Sequence, residues 1–252
     1  MKFKSFITFF LFLLWCSEWS FSQERTSPHN LPKYDVIPLH FGMSLGMNYM
    51  DFTIHHAAAI YTMDSVMSIE NIPQLGLNIN IVSNYNITPA FSLRFLPGLN
   101  LGQRNMEYWL RKNDSTYYKH IMKIESTFLD FPVLFEYKGA RINNFRPYII
   151  AGGSFKIDLA SQKRIRDDER PKIRLTRLSY YYEIGFGADF FLPYFKYAME
   201  LKYAVGINNV IVPDGTQFSR AIERMNSKMI MLSFTFEGSD IRIFKMFSRK
   251  KG

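Results

Sequence analysis

From Phe41 to Tyr49 the chain alternates strictly. Phe41, Met43, Leu45, Met47 and Tyr49 are large and apolar, and Gly42, Ser44, Gly46 and Asn48 between them are small or polar. A strand turns successive side chains to opposite faces, so this segment has one greasy face and one small, polar face. In a soluble barrel the bulky side chains fill the interior and the polar ones meet water. The polar members here are small enough to suit a crowded lumen, and the bulky ones suit lipid. A half-buried soluble strand alternates too, so the argument turns on repetition and spacing.

The pattern recurs seven more times. Leu75, Leu77, Ile79 and Ile81 alternate with Gly76, Asn78 and Asn80. Phe91, Leu93, Phe95, Leu99 and Leu101 alternate with Ser92, Arg94, Gly98, Asn100 and Gly102, with Pro97 on the apolar side. A fourth segment sets Leu129, Phe131, Val133, Phe135 and Tyr137 against Asp130, Pro132, Leu134, Glu136 and Lys138. In the fifth, Ile149, Ala151, Phe155, Ile157 and Leu159 oppose Gly152, Ser154, Lys156 and Asp158. The sixth runs from Leu178 to Phe190, with Ser179, Tyr181, Glu183, Gly185, Gly187 and Asp189 on the polar side. Tyr197, Met199, Leu201, Tyr203, Val205 and Ile207 face away from Lys196, Ala198, Glu200, Lys202, Gly206 and Asn208 in the seventh. The last sets Ile230, Leu232, Phe234 and Phe236 against Met231, Ser233 and Thr235. Segments of about 9 to 15 residues fit tilted membrane strands better than the five or six usual in soluble sheets. Eight strands are predicted.

The connections alternate in length. Met50 to Pro73, Gln103 to Ile124, Ala160 to Thr176 and Asn209 to Lys228 are long; Asn84 to Pro89, Gly139 to Phe145 and Leu192 to Phe195 are short. Outer-membrane barrels have an even strand count, short periplasmic turns and longer external loops, and turn-formers Pro89, Gly139, Asn143, Asn144 and Pro193 mark the short side. Aromatic residues gather there as well: Tyr85, Phe135, Tyr137, Phe145, Phe190, Phe191, Tyr194, Phe195 and Tyr197 stand where an interfacial girdle belongs. The expected fold is all-β, an eight-stranded antiparallel up-and-down transmembrane barrel that is integral to the outer membrane, with both termini periplasmic. Its interior is only wide enough for side chains to fill it. Arg94, Asp130, Glu136, Lys156, Asp158, Glu183, Asp189, Glu200 and Lys202 then point inward, and such charges must pair. An internal salt-bridge network that plugs the barrel is favoured over a conducting pore.

Composition agrees with apolar residues dispersed by alternation: 47% hydrophobic and 17% aromatic, yet a mean hydropathy of only -0.12. Lys2 and Lys4, the apolar run Phe6 to Trp15 and the small-x-small Ser20-Phe21-Ser22 read as a secretory signal cleaved before Gln23. The expected organisation is a signal peptide over 1–22, a periplasmic segment over 23–37, the barrel over 38–237 and a basic periplasmic tail over 238–252. Cys16 would suit a lipoprotein signal, but Trp15 stands where that signal needs a small residue. As Cys16 is the only cysteine, the mature chain is expected to lack disulfides and cysteine chemistry. The net charge of +9 raises nucleic acid as a partner, but export argues against it. The basic residues of Lys163 to Arg177 are interleaved with Asp167, Asp168 and Glu169, as in a solvated loop. The tail residues Arg249, Lys250 and Lys251 suit anionic lipid or a partner.

A search for chemistry finds no catalytic constellation. His55-His56 could ligate metal, but adjacent strand residues point apart and no third ligand stands near. His29, His40 and His120 lack the serine or acidic context of a nucleophile motif. Glu183, Asp189 and Glu200 belong to the inward charge set, and Gly152-Gly153 lies within a strand, where packing or a bulge explains it better than a phosphate loop. No cofactor, metal, catalytic residue or small-molecule substrate is expected.

Several strands resemble those of the PorT-type proteins of the Bacteroidota, called SprT in gliding species. The resemblance is carried by Leu39-His40-Phe41-Gly42 through Asn48 with Asp51-Phe52, by Arg94-Phe95-Leu96-Pro97-Gly98-Leu99, and by Leu129 to Leu134 with its central Pro132. Arg146-Pro147-Tyr148 leading to Gly152-Gly153 also matches, as does Glu183-Ile184-Gly185 running on to Phe190-Phe191-Leu192-Pro193-Tyr194-Phe195-Lys196. It covers nearly all of the chain after the signal. Such a resemblance implies a non-enzymatic component of the type IX protein secretion system, which exports proteins bearing C-terminal signals across the outer membrane and supports gliding motility in some species. Its partners would be outer-membrane lipid and other secretion components. The loops, especially Arg164 to Arg177, depart from the family. The alternative is a generic small barrel acting as a surface binding protein or envelope stabiliser.

Overall fold

The computed structural model describes residues 29–57, 66–113, 116–160, 173–213 and 217–238. The expected signal peptide, the basic tail and most of the basic run after Ala160 lie outside the described residues. Strands β1 (Leu39–His56), β2 (Val66–Asn86), β3 (Phe91–Phe95), β4 (Gly98–Asn113), β5 (Thr116–Lys138) and β6 (Phe145–Asp158) come first. After them follow β7 (Arg174–Leu175), β8 (Leu178–Phe191), β9 (Phe195–Gly206), β10 (Ile211–Val212), the four-residue helix α1 (Gln217–Arg220) and β11 (Ile222–Gly238). Antiparallel pairing passes from β1 through β2, the β3–β4 pair, β5, β6, β8 and β9 to β11, and β11 pairs again with β1. That closes a ring of eight staves and leaves no free edge around it.

β3 and β4 form a single stave interrupted at Leu96-Pro97. Pro97 has no N–H to give the ladder, but its carbonyl accepts the Ile81 N–H at 2.9 Å, so the stave holds its place. Leu96 turns inward and is buried. Around the ring the expected faces are present. Phe41, Met43, Leu45, Leu77, Ile79, Phe135 and Ile184 are exposed on the outside, while Ser44, Asn48, Asn78, Asn100, Glu136 and Glu183 are buried inside.

The long connections differ from the expectation. β1 continues to His56, β2 begins at Val66, β4 reaches Asn113 and β5 starts at Thr116. Much of what the sequence presents as loop is therefore strand, with the polarity of its two faces exchanged. Past Met50 the inward positions turn apolar, with Phe52 and Ile54 on β1, Met106, Tyr108 and Leu110 on β4, and Met122 and Ile124 on β5. Next to the boundary the outward ones turn polar, with Asp51 and Thr53, Gln103 and Asn105, Lys123 and Glu125, and farther out Trp109, Tyr117 and Ile121 are exposed among them. Asp51 and Lys228 are cross-strand partners and form an ion pair at 3.0 Å. A strand in lipid is greasy outside and a strand in water is greasy inside, so the exchange marks the edge of the lipid band. Beyond it, β1, β2, β4, β5 and β11 carry a water-facing head. Ile173, Leu175, Val210, Ile211 and Ala221 from the connections complete its core, and Leu175 of β7 pairs with Ile211 of β10 across it.

This boundary gives a direct test. Ile79→Arg places a charge in the middle of the lipid band and is expected to cost about 2–4 kcal/mol. Thr53→Arg, outward on the head, should stay within about 0.5 kcal/mol. Urea unfolding in lipid vesicles measures both, and equal costs would place the boundary elsewhere.

Candidate functional site

The lumen is built from inward positions of the eight staves, and its two sides differ. β1, β2 and β4 contribute glycine, serine and asparagine, whereas β5, β6, β8 and β9 contribute most of the charges. The asymmetry follows from packing. Long charged side chains from one side cross the lumen, so the other must be small.

At the centre of the network Arg94 bridges Glu200 at 2.8 Å and Glu237 at 3.2 Å, with Glu136 at 3.9 Å. Ser92 donates to Glu136 and Tyr148 to Glu200, at 3.0 and 2.9 Å. Lys196 links Glu237 at 3.0 Å to Asp189 at 3.2 Å. A second cluster joins Lys156 to Asp130 and, at 3.0 Å, to Glu183. Lys202 lies between Glu183 and Glu200 at 3.5 and 3.6 Å and couples the two clusters. Asn100 closes the second by donating to Asp130 at 2.8 Å. Every charge expected inside is there and buried.

Lys138 and Lys196, on polar strand faces but outside the set of charges expected inside, join them, and so do Arg104, Arg146 and Glu237, which the sequence reading missed. The sequence pattern places Arg104 in a long connection, Arg146 immediately after a turn, and Glu237 one step beyond the last alternating position. Extending the two-residue period of each strand would have found them. Arg104 marks the change from polar lumen to apolar head. Its guanidinium stacks over Phe52 at 4.1 Å and Phe128 at 5.2 Å while donating to Ser227 at 2.8 Å. Buried cations and anions are thus interleaved through the network and pair with one another, as a low-dielectric interior requires, while Lys138 donates instead to Asn86 Oδ1 at 2.6 Å.

The small side of the lumen interlocks with itself. Asn80 on β2 pairs with Gly98 on β4, and a Cβ added to Gly98 would stand 2.1 Å from Asn80 Oδ1 and 2.3 Å from the Ile79 carbonyl oxygen. Asn48 lies likewise over Gly76. Gly98→Ala therefore has to push two strands apart. It is expected to cost about 1–3 kcal/mol, seen as a lower midpoint for loss of the heat-resistant folded band on gels. An unchanged midpoint would show that the interlock has slack.

The end with the short turns is sealed by the chain's own N-terminal segment. A single 3-10 turn, Tyr34–Val36, lays Tyr34 across the mouth, where it is 1% exposed. Its ring stacks on His40 at 3.8 Å and meets Phe191 edge-on at 5.6 Å. Its hydroxyl donates to Glu237 at 2.7 Å. Burial, and then the Glu237 carboxylate, hold that hydroxyl protonated well above the usual phenol range. Asp35 pairs with Arg146 at 2.6 Å. Asn30 bonds Asn144 at 2.9 Å and the Phe191 carbonyl at 3.0 Å. Arg141, from the β5–β6 turn, donates to the Asn30 carbonyl and stacks on Phe191 at 3.6 Å.

Phe191 corrects the expected girdle. Strand parity turns Phe190 outward and Phe191 inward, so Phe191 belongs to the seal. The outward aromatics do form a belt: Phe145 meets Phe190 at 5.5 Å, Phe190 meets Tyr197 at 5.9 Å, and Tyr197 meets Phe236 at 5.5 Å.

The other candidates do not assemble into a reactive centre. His55 and His56 are exposed at the end of β1, opposite Arg224 and Ile222. Among the described residues no three His, Cys, Asp or Glu side chains gather to hold a metal ion. His40 Nε2 bonds the Tyr34 and Ile37 carbonyls, both at 3.0 Å, which makes it part of the seal. Glu183, Asp189 and Glu200 are committed to the ion pairs above. Gly152 packs on Leu134, as a strand position pressed against its neighbour should.

Solved structures of similar shape are outer-membrane proteins, at low sequence identity. Neisserial surface protein A is 11% identical with a TM-score of 0.40, covering 77% of this chain and 95% of that one. The outer membrane protein OprG from Pseudomonas aeruginosa is 11% identical with a TM-score of 0.41, covering 79% and 93%. The outer membrane protease OmpT from Escherichia coli is 12% identical with a TM-score of 0.45, covering 80% and 96%. No curated protein matches the chain in sequence. Residues 21–212 match the family described as outer membrane protein beta-barrel domain, from before the strap to β10, and β11 completes the ring. The chain is a member of that outer-membrane β-barrel family.

Proposed function

We propose that this barrel is a non-enzymatic component of the type IX protein secretion machinery that acts through protein partners. One observation carries the mode of action: the lumen is occupied by its own ion pairs and its mouth by the chain's own strap. A barrel filled in this way offers the cell its surfaces. The secretion assignment rests on the resemblance to PorT-type strands. The segments bearing it supply much of the luminal network and part of the seal: Arg94, Asp130, Tyr148, Glu183, Asp189 and Lys196 to the first, His40 and Arg146 to the second. In this reading the short turns and both termini are periplasmic and the head is external. The parity of connection lengths and the aromatic belt at the short-turn end support that orientation.

The structured head favours a second reading, a surface binding protein. Deleting the gene separates the two. Loss of export of proteins with C-terminal signals, restored by the intact gene, is expected from a secretion component. Normal export would sink it and leave the surface-binding reading.

A further inference from the structure

We propose that the lipid-facing wall holds the acyl chain of a phospholipid in a fixed furrow centred on Ala151. The outer surface carries a groove of about 680 Å³, within the roughly 300–1,000 Å³ typical of small-ligand sites. It lies between two cross-strand rows. One runs Tyr137, Ile149, Phe186, Leu201 and the other Phe135, Ala151, Ile184, Tyr203, each residue paired with the next across β5, β6, β8 and β9. Residues two apart on a strand are separated by about 6.6 Å everywhere on the wall, so the room for a hydrocarbon chain comes from the small side chain of Ala151 in the second row. Four strands with β11 beyond them give the furrow a length of about 19 Å at 4.8 Å per strand spacing.

The depression comes from small residues where large ones would fit. Outward positions on the lipid face are otherwise mostly bulky, but β6 presents Ala151 and Gly153 in succession. Gly152, between them, is forced by packing: a Cβ there would meet the Val133 carbonyl oxygen at 2.2 Å. Gly153 is not forced, since its added Cβ would approach nothing nearer than 3.5 Å. Ala151 lines the groove itself, and Gly153 leaves the wall low beside it at a place where the fold does not require a glycine. An acyl chain suits the hollow because the outward side chains of both rows are apolar apart from tyrosine hydroxyls, and it demands no hydrogen bond. Tyr137, next to a short turn, puts a hydroxyl at one end, the level at which a headgroup sits. With the short turns in the periplasm, as proposed above, the lipid comes from the periplasmic leaflet.

The probe is dioleoyl phosphatidylethanolamine added to the detergent-purified full-length protein and followed by native mass spectrometry. The intact barrel is expected to retain one lipid through detergent stripping. Ala151→Phe, checked for folding by heat-modifiable migration, loses it. Ile79→Phe on the opposite wall keeps it. A second measurement needs no variant: the same lipid with a photoreactive acyl chain should label β6 and β8 well above β2. Absence of retained lipid, equal retention by all variants, or even labelling around the barrel would each overturn the proposal. So would a second copy or another protein bound in place of the lipid and released by Ala151→Phe.

Discussion

Arg94→Met is expected to destabilise the barrel by about 3–5 kcal/mol, the cost of breaking a buried ion pair from one side. Arg94 is fully buried and its guanidinium is shared among Glu136, Glu200 and Glu237. Methionine fills a similar volume, so the loss comes from three carboxylates left facing one another in a low-dielectric lumen and not from a cavity. Lys202 and Lys196 remain beside Glu200 and Glu237, which keeps the cost to that of one missing cation. Arg94→Lys restores the charge but not the forked geometry, and should recover only part of the stability. Urea unfolding in lipid vesicles, read by tryptophan fluorescence, measures the series. If Arg94→Met and the wild type unfold together, the network is not what holds the staves in place.

The charged lumen was legible because strand parity is a strong constraint. Once Phe41 and Leu45 are assigned to lipid, Ser44 and Asn48 must point inward, and the same step places Asp130, Glu136 and Lys156. What failed was the assumption that apolar side chains face outward along the whole strand. At Met50-Asp51-Phe52-Thr53-Ile54 the two-residue period continues while the faces trade polarity, because the solvent outside changes from lipid to water. Reading only for lipid-facing grease therefore ended β1 about six residues early and turned the head into loops. Arg104 was lost for the same reason. The ion-pair partners were not legible at all, since pairing across the lumen depends on the shear of the ring and not on spacing along the chain. Nor could the strap be anticipated. Tyr34 sits in a polar stretch with no periodicity, and its burial depends on His40, Phe191 and Glu237, which come together only when the barrel closes.

Tyr34→Ala is expected to release the strap while leaving the barrel folded. The large aromatic ring is anchored on three sides, by the stack on His40, the edge contact with Phe191 and the hydrogen bond to Glu237. Truncating a buried aromatic residue costs about 3–5 kcal/mol. That loss falls on a short terminal segment held by few other contacts, chiefly Asp35 with Arg146 and Asn30 with the β5–β6 turn. The ladders of the eight staves do not depend on it, so heat-modifiable migration should persist. A cysteine reports the opening. Asn84 is fully buried, pairs with His40 and reaches Glu237 from below the strap, and Cys16, the chain's only cysteine, lies in the expected leader. In Asn84→Cys the thiol should react slowly with a water-soluble maleimide. Adding Tyr34→Ala should speed the reaction about a hundredfold, since about 3 kcal/mol corresponds to roughly two powers of ten in population. An Asn84→Cys thiol that reacts quickly with Tyr34 in place would mean that the mouth is already open and that the strap is not its seal.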